Sequence, residues 1–139
     1  MFKENVKKVK LISNSMGMLE PEIGEEFEQR LTINQNGRVW FSGYGRDKDW
    51  KMIKLRQFQT RIPEECFVRF LDGLNEYLEK SEMVYITDIG NWTLIITDND
   101  GKNHKYDCSF STEKGILHDI SNLIRKEIGI SGLFIFDGG

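Results

Sequence analysis

Residues 92–110 read WTLIITDNDGKNHKYDCSF, two stretches of alternating apolar and polar residues on either side of Asn99-Asp100-Gly101. Alternation with a period of two is typical of β-strands, and Asn, Asp and Gly favour tight turns. The stretch therefore predicts a β-hairpin. Because its alternation is the clearest in the chain, it decides which side of each strand faces the core.

The length of the hairpin loop decides which residues share a face. A two-residue loop at Asp100-Gly101 would put the apolar row Trp92, Leu94 and Ile96 on the same face as Asn103, Lys105 and Asp107. A three-residue loop with Gly101 left-handed instead joins that row to His104, Tyr106, Cys108 and Phe110. We expect the longer loop, because it gives one continuous apolar face.

A second hairpin is predicted around Gln35-Asn36-Gly37, following a strand that starts near Phe27. The same three-residue loop would unite Leu31 and Ile33 with Val39 and Phe41 on one face. Trp40 would then point to the opposite face.

Two helices are predicted from apolar residues at helical spacing. The first begins near Pro63, with Glu64 and Glu65 favourable to the helix dipole, and ends near Lys80. The second is capped by Ser111 or Thr112 and stops at Gly129. Each helix has a single apolar stripe, so each needs a surface to cover.

Three further strands are predicted at 50–60, 83–87 and 133–136. The apolar residues of 50–60 do not keep one parity, which a β-bulge would explain. Residues 2–12 fit a helix and a strand equally well, and 1–24 is left as an uncertain N-terminal segment.

These elements predict a single α+β domain over residues 1–139. We expect two layers, a mainly antiparallel sheet of six to seven strands with both helices on one face. The order is βββα-βββα-β, and a pseudo-repeat is one interpretation of it. The second sheet face should be open to solvent.

Composition excludes several classes of function. The chain has 19 basic and 22 acidic side chains, a net charge of -3, which gives no general attraction to nucleic acid. Without a long apolar segment, the sequence predicts a soluble cytoplasmic protein that does not bind membranes. Cys66 and Cys108 fit reduced, buried thiols, and no cofactor is indicated.

No metal site is predicted. His104 and Cys108 are four residues apart on a strand, about 13 Å, which is too far for two ligands of one zinc ion. Asp98 to Gly101 lacks the spacing of a calcium loop and is explained by turn chemistry. Asp88 and Asp137 could act as a general acid or base, but the sequence gives them no partner.

The remaining candidates lie on the surface. Trp40 would stand in a polar field on the open sheet face, and Trp and Arg are enriched in interface hot spots. We therefore predict a non-enzymatic protein-binding or regulatory module, with Trp40, Arg38, Tyr44 and Trp50 as binding residues. Against this, residues 1–19 could fold over Trp40, and that outcome is slightly favoured.

A small enzyme or ligand-binding protein is the alternative. It would have a pocket between the helix layer and the 43–50 loop. Asp88, His104 or Asp137 would supply its polar groups, and at least two of them would have to converge.

Overall fold

The structure, a computed structural model, describes residues 5–16, 20–80, 89–112 and 114–139. Their elements are β1 (Val6–Asn14), β2 (Glu28–Asn34), β3 (Arg38–Arg46), β4 (Met52–Arg61), α1 (Glu64–Lys80), β5 (Asn91–Asp98), β6 (Asn103–Ser109) and α2 (Ile116–Ile128). The expected fold class is confirmed, since one antiparallel sheet carries two helices. The predicted strand 83–87 lies outside the described residues.

The N-terminal segment forms a strand in the middle of the sheet, whose order is β4-β3-β2-β1-β5-β6. Val9 lies between Ile33 of β2 and Ile96 of β5, which places it on the apolar face. Lys8 and Lys10 therefore point to the opposite face. The sequence left this segment open between helix and strand, and the sheet resolves it by supplying an apolar row on each side.

Both predicted hairpins have the expected register. Leu94 pairs with Tyr106 and Leu31 with Phe41. Gly37 and Gly101 close the loops with φ of 81° and 82°, in the left-handed region that favours glycine. In each hairpin the side chain before the loop accepts two backbone N–H bonds, at 3.0 Å each, through the Oδ1 of Asn34 or of Asp98.

The two helices pack over one face of this sheet through their apolar stripes. α1 begins directly after Pro63, as predicted, and the carbonyl of Pro63 accepts the N–H of Cys66 at 2.9 Å. α1 and α2 meet closely at Gly73, where an added Cβ would collide with Ile120. In the described part of the chain, no helix has the length and apolar character needed to cross a membrane.

The predicted start of α2 is wrong and its predicted end is right. α2 begins at Ile116 after Gly115, which caps it without a side-chain hydrogen bond, so neither Ser111 nor Thr112 is the cap. Ser111 instead donates its N–H to the carbonyl of Phe136, which keeps the chain beside the C-terminal segment. Gly129 ends the helix in the left-handed conformation with φ 70°.

The predicted closing strand 133–136 is also wrong. The segment is a series of turns, with Ile135 at a φ of 48°. Side chains of the sheet bind its backbone: Ser13 Oγ donates to the carbonyl of Ile135 at 2.7 Å, and Gln29 Oε1 accepts the N–H of Phe134 at 2.7 Å. Leu133, Ile135 and Phe136 are nevertheless buried, so the apolar run indicated burial and not strand geometry.

β4 forms one edge of the sheet. It pairs with β3 and with no other described strand. The register shifts opposite Gly43 and Tyr44, which leaves Leu55 without a partner and confirms the predicted bulge. Every residue of β4 is exposed except Arg56, which is intermediate. β3 runs to Arg46, so the first half of the predicted 43–50 loop belongs to a strand.

Candidate functional site: the outward sheet face

The outward sheet face is the side of the sheet that points away from α1 and α2. Trp40 lies on it with 37% of its surface exposed, in a cross-strand row that runs Gln59, Trp40, Thr32, Lys10. Residues 6–14 cannot cover Trp40, because they form β1 within the sheet. Met16 is itself 37% exposed. For the described residues, the expectation that 1–19 folds over Trp40 is therefore wrong.

The outward sheet face is rich in basic side chains, although the whole chain is acidic. By strand register its cations are Lys8, Lys10, Arg30, Arg38, Arg46, Lys54, Arg61 and Lys105, and its carboxylates are Glu28 and Asp107. Arg30 is bound to Glu28 at 2.8 Å. The other cations form no ion pair with a described residue, so the described part of the face carries more positive than negative charge.

Repulsion between the cations of the outward sheet face is strongest at the corner where Arg38 and Arg61 meet. Arg38 of β3 and Arg61 of β4 are direct cross-strand partners, an arrangement of like charges that destabilises a sheet. The guanidinium carbon of Arg38 lies 6.0 Å from the ring centroid of Trp40, at the limit of a cation–π contact. An anionic group placed here would relieve the repulsion.

Two shallow concavities flank Trp40. One has a volume of about 420 Å³ and the other about 200 Å³, and both are lined by Trp40 and Thr32. The larger adds the cations Lys7 and Lys8 and the amide side chains of residues 34–36. The indole is therefore a ridge between two hollows that offer hydrogen-bond donors.

Tyr44 belongs to the same face at a greater distance. It is four residues from Trp40 along β3, about 13 Å. The guanidinium carbon of Arg30 lies 4.3 Å from its ring centroid, and its hydroxyl accepts a hydrogen bond from Ser42 at 3.2 Å. One side of the Tyr44 ring is therefore already covered by Arg30. Tyr44 would add contact area to the outward sheet face, with Trp40 as the main apolar contact.

Trp50 lies apart from the other three predicted residues. It stands beyond Arg46, and the six residues from Trp40 to Arg46 span about 20 Å of strand. Its side chain is 51% exposed and its φ is 61°. It lines a third concavity of about 460 Å³ with Met16, Glu20, Pro21 and Arg46. The structure thus brings Arg38 and Trp40 together and leaves Trp50 at another location.

Sequence reasoning missed Lys8, Lys10 and Arg61 on this face. Lys8 and Lys10 belong to a segment that had no assigned structure, and Arg61 lies just beyond the strand predicted at 50–60. The signal that could have found the lysines was the alternation of Val9 and Leu11 with Lys8 and Lys10.

The groups considered for an enzyme site engage separate partners. His104 Nε2 lies 3.1 Å from Asp98 Oδ2 at the hairpin turn, and this hydrogen bond lowers the pKa of Asp98. Asp137 is bound by Arg125 and His118 next to α2. Asp88 lies outside the described residues. Across the described ranges, no three His, Cys, Asp or Glu side chains are grouped to hold a metal ion.

The Asp137 carboxylate fastens the C-terminal segment to α2. Its Oδ2 accepts hydrogen bonds from Arg125 at 3.1 Å and His118 Nδ1 at 3.0 Å. Burial alone would raise the pKa of Asp137, but the hydrogen bonds from Arg125 and the Gly139 N–H, with the charge of Arg125, outweigh it and lower the pKa. The folded state therefore favours the ionised carboxylate.

This ion pair predicts a dependence of stability on pH. Because the folded state lowers the pKa of Asp137, the stabilisation is present above about pH 4 and is lost as the pH falls through the folded-state pKa. Asp137→Asn should lower the free energy of unfolding at pH 7 by about 1.5–3 kcal/mol. In this variant the free energy of unfolding should also decrease less as the pH falls from 7 into the acid range. Urea denaturation across that range measures both effects.

Asp100→Asn is the matched control, because Asp100 is an exposed turn residue. It should leave the acid profile unchanged. An Asp137→Asn profile parallel to that of the wild type would contradict the role given to this carboxylate.

The comparisons with known proteins give no family for this chain. No family model matches it, and no curated protein matches it either.

Proposed function

We propose that the protein is a non-enzymatic protein-binding or regulatory module whose outward sheet face docks an acidic surface of a partner protein. One observation carries the proposal: Trp40 is exposed on an open sheet beside cations that no described carboxylate neutralises. Arg38, Trp40 and Tyr44 are its binding residues on the face, and Trp50 is a separate residue to test.

The chemistry of the face favours this class of partner. A partly exposed indole supplies a large apolar contact at low entropic cost, and arginine beside it can bind a carboxylate with two parallel hydrogen bonds. The hollows beside Trp40 would admit acidic side chains within reach of Lys8 or Lys54. The local positive field would also speed association with an acidic partner.

Single-stranded nucleic acid is the less favoured partner. Proteins that bind it stack successive bases on successive aromatic rings. Here the ring of Tyr44 is engaged by Arg30, which leaves Trp40 as the exposed ring of the β3 row. The net charge of -3 also opposes a polyanion at long range.

A small enzyme or ligand-binding protein is the second candidate, and the described residues offer it no specific support. His104 is hydrogen-bonded to Asp98 and Asp137 to His118, and the concavity near the 43–50 region is lined by Trp50 and Arg46 and by neither His104 nor Asp137. A cytoplasmic location is part of the first proposal, because Cys66 and Cys108 lie buried in the core and are not joined in a disulfide, as a reducing compartment allows.

Replacing Arg38 and Trp40 together by alanine tests the proposal. Both side chains lie on the solvent side of β3, so the thermal midpoint should change little, whereas quantitative affinity capture from a cell extract should lose the specific partner by at least about tenfold. The matched control is Val68→Ala with Arg69→Ala, which removes an exposed apolar residue and an arginine from α1 on the opposite side. Equal capture by the two double variants would remove this function.

A further inference from the structure

β4 is a long, exposed strand that pairs with β3 on one side only. Its other side is the free edge of the sheet. Ile62 donates its N–H to Gly37 on the β3 side at 2.8 Å. Because alternate residues of a strand direct their amides to opposite sides, the amides of Arg61, Gln59 and Gln57 point to the free edge. No described residue pairs with that edge, and every residue of β4 except Arg56 is exposed, so within the described part of the chain its backbone can accept a further strand.

The side chains along this edge differ between its two sides. On the helix side Phe58 is 43% exposed, although its ring lies 6.1 Å from that of Phe41. The neighbouring Arg56 is neutralised there by Glu26 at 2.7 Å. On the outward side lie Gln57, Gln59 and Arg61, and Arg61 forms no ion pair with a described residue. An added strand would thus meet an apolar site on one side and a cation on the other.

Charge identifies the kind of strand that fits. β4 contains Lys54, Arg56 and Arg61 and no acidic residue, so two copies of β4 side by side would bring like charges together. The Arg38–Arg61 pair is already repulsive and adjoins the same edge. An acidic strand would neutralise this corner, and a second copy would increase the repulsion.

We propose that β4 accepts an extended segment of a partner protein in which acidic and apolar residues alternate, and which pairs with the backbone from Gln57 to Arg61. Addition of a strand to an exposed edge is a recurrent mode of peptide recognition, in which main-chain bonds give affinity and alternate side chains give specificity. The acidic side chains would lie beside Arg61 and Arg38, and the apolar ones beside Phe58. The proposal rests on the proposed protein-binding function and specifies the conformation and chemistry of the partner segment that binds.

The bulge at Leu55 limits the site. Bulges and basic residues protect natural edge strands from pairing with one another. The register of β4 is regular from Gln57 onward and shifts beyond Arg56. Pairing is therefore confined to the half of β4 next to Arg38 and Trp40, so the edge and the outward sheet face can bind one partner together.

Proline at position 59 tests the edge directly. Gln59→Pro removes an N–H that points to the free edge and places the proline ring there. Because the N–H of Gln59 makes no hydrogen bond to β3, the variant should keep the fold. Gln59→Ala removes the same side chain and keeps the N–H. The probe is a fluorescent synthetic peptide of alternating glutamate and valine, as long as β4.

The wild type and Gln59→Ala should bind this peptide with equal affinity within about twofold, and Gln59→Pro should bind at least about tenfold more weakly. The amide resonances of Gln57, Gln59 and Arg61 should shift in the wild-type complex. A lysine–valine peptide and an oligodeoxythymidine are the controls for charge and for polyanion binding. Circular dichroism and a thermal melt verify that Gln59→Pro is folded.

Several results would overturn the edge site. They are equal binding by Gln59→Pro and Gln59→Ala, absence of binding by the wild type, and tighter binding of the oligonucleotide than of the peptide. A wild-type dimer in sedimentation that Gln59→Pro converts to a monomer would also overturn it, because the edge would then belong to a second copy. Loss of partner capture in the Arg38–Trp40 double variant with normal capture by Gln59→Pro would reject the edge and retain the proposed function.

Discussion

Replacing Phe136 by alanine is expected to lower the free energy of unfolding by about 3–5 kcal/mol. Phe136 is 0% exposed. Its ring lies edge-on to Trp92 at 5.1 Å and is stacked with Phe70 at 6.3 Å, so the truncation removes contacts to both the sheet and α1. Urea denaturation monitored by tryptophan fluorescence measures the loss.

The matched control is Phe58→Ala on the exposed edge strand, which should cost less than about 1 kcal/mol. The difference between the two losses of stability shows whether the turns after Gly129 are part of the core. A loss below about 1 kcal/mol for Phe136→Ala, equal to that of Phe58→Ala, would show that the C-terminal segment does not pack as described.

Gly37→Ala should have the second large effect, a loss of about 2–5 kcal/mol. The left-handed φ of 81° costs an alanine about 1–2 kcal/mol, and the added Cβ would collide with the carbonyl of Ile62, which adds the cost of overpacking. Ile62 and Gly37 are also joined by a backbone hydrogen bond. The crowded carbonyl therefore cannot move without disturbing the end of β4.

Gly101→Ala is a close control, because the two glycines end the same kind of loop. Gly101 has a φ of 82°, and a Cβ added to it would meet nothing within 4 Å. It should lose only about 1–2 kcal/mol, the cost of the backbone conformation. Equal losses in the two variants would mean that the crowding at Ile62 has no energetic consequence.

The hairpins could be predicted because local and global requirements agree in them. A glycine-ended loop fixes the register, and only one register unites the apolar rows, as Leu94 with Tyr106 and Leu31 with Phe41 show. The two helices were predictable for the same reason, since each has one apolar stripe that needs one surface.

The elements that were wrong or open depend on distant partners. Val9 and Leu11 become a strand because β2 and β5 supply hydrogen bonds on both sides, which no local pattern reveals. Residues 133–136 are held by the side chains of Ser13 and Gln29, more than a hundred residues earlier in the chain. Burial produced the apolar pattern in that segment, and side-chain hydrogen bonds replaced the expected ladder.

The candidate site was predictable in part. The outward position of Arg38 and Trp40 follows from the register of one hairpin, and the structure places both there. Trp50 was predicted to open the strand 50–60, but β4 begins at Met52, so Trp50 lies outside the strand and its parity does not fix its face. The alternation of Val9 and Leu11 with Lys8 and Lys10 is compatible with a strand that has its lysines on one face. The central position of β1, which brings these lysines beside β2, could not be read from the sequence.

The indole N–H resonances of the three tryptophans give the most direct test of the outward sheet face. In ¹⁵N-labelled protein they report Trp40 on the face, Trp50 near Arg46 and Trp92 in the core. On addition of the captured partner, we expect the Trp40 resonance to shift or broaden and that of Trp92 to stay in place. A Trp40 resonance that does not change while the partner binds would contradict the account.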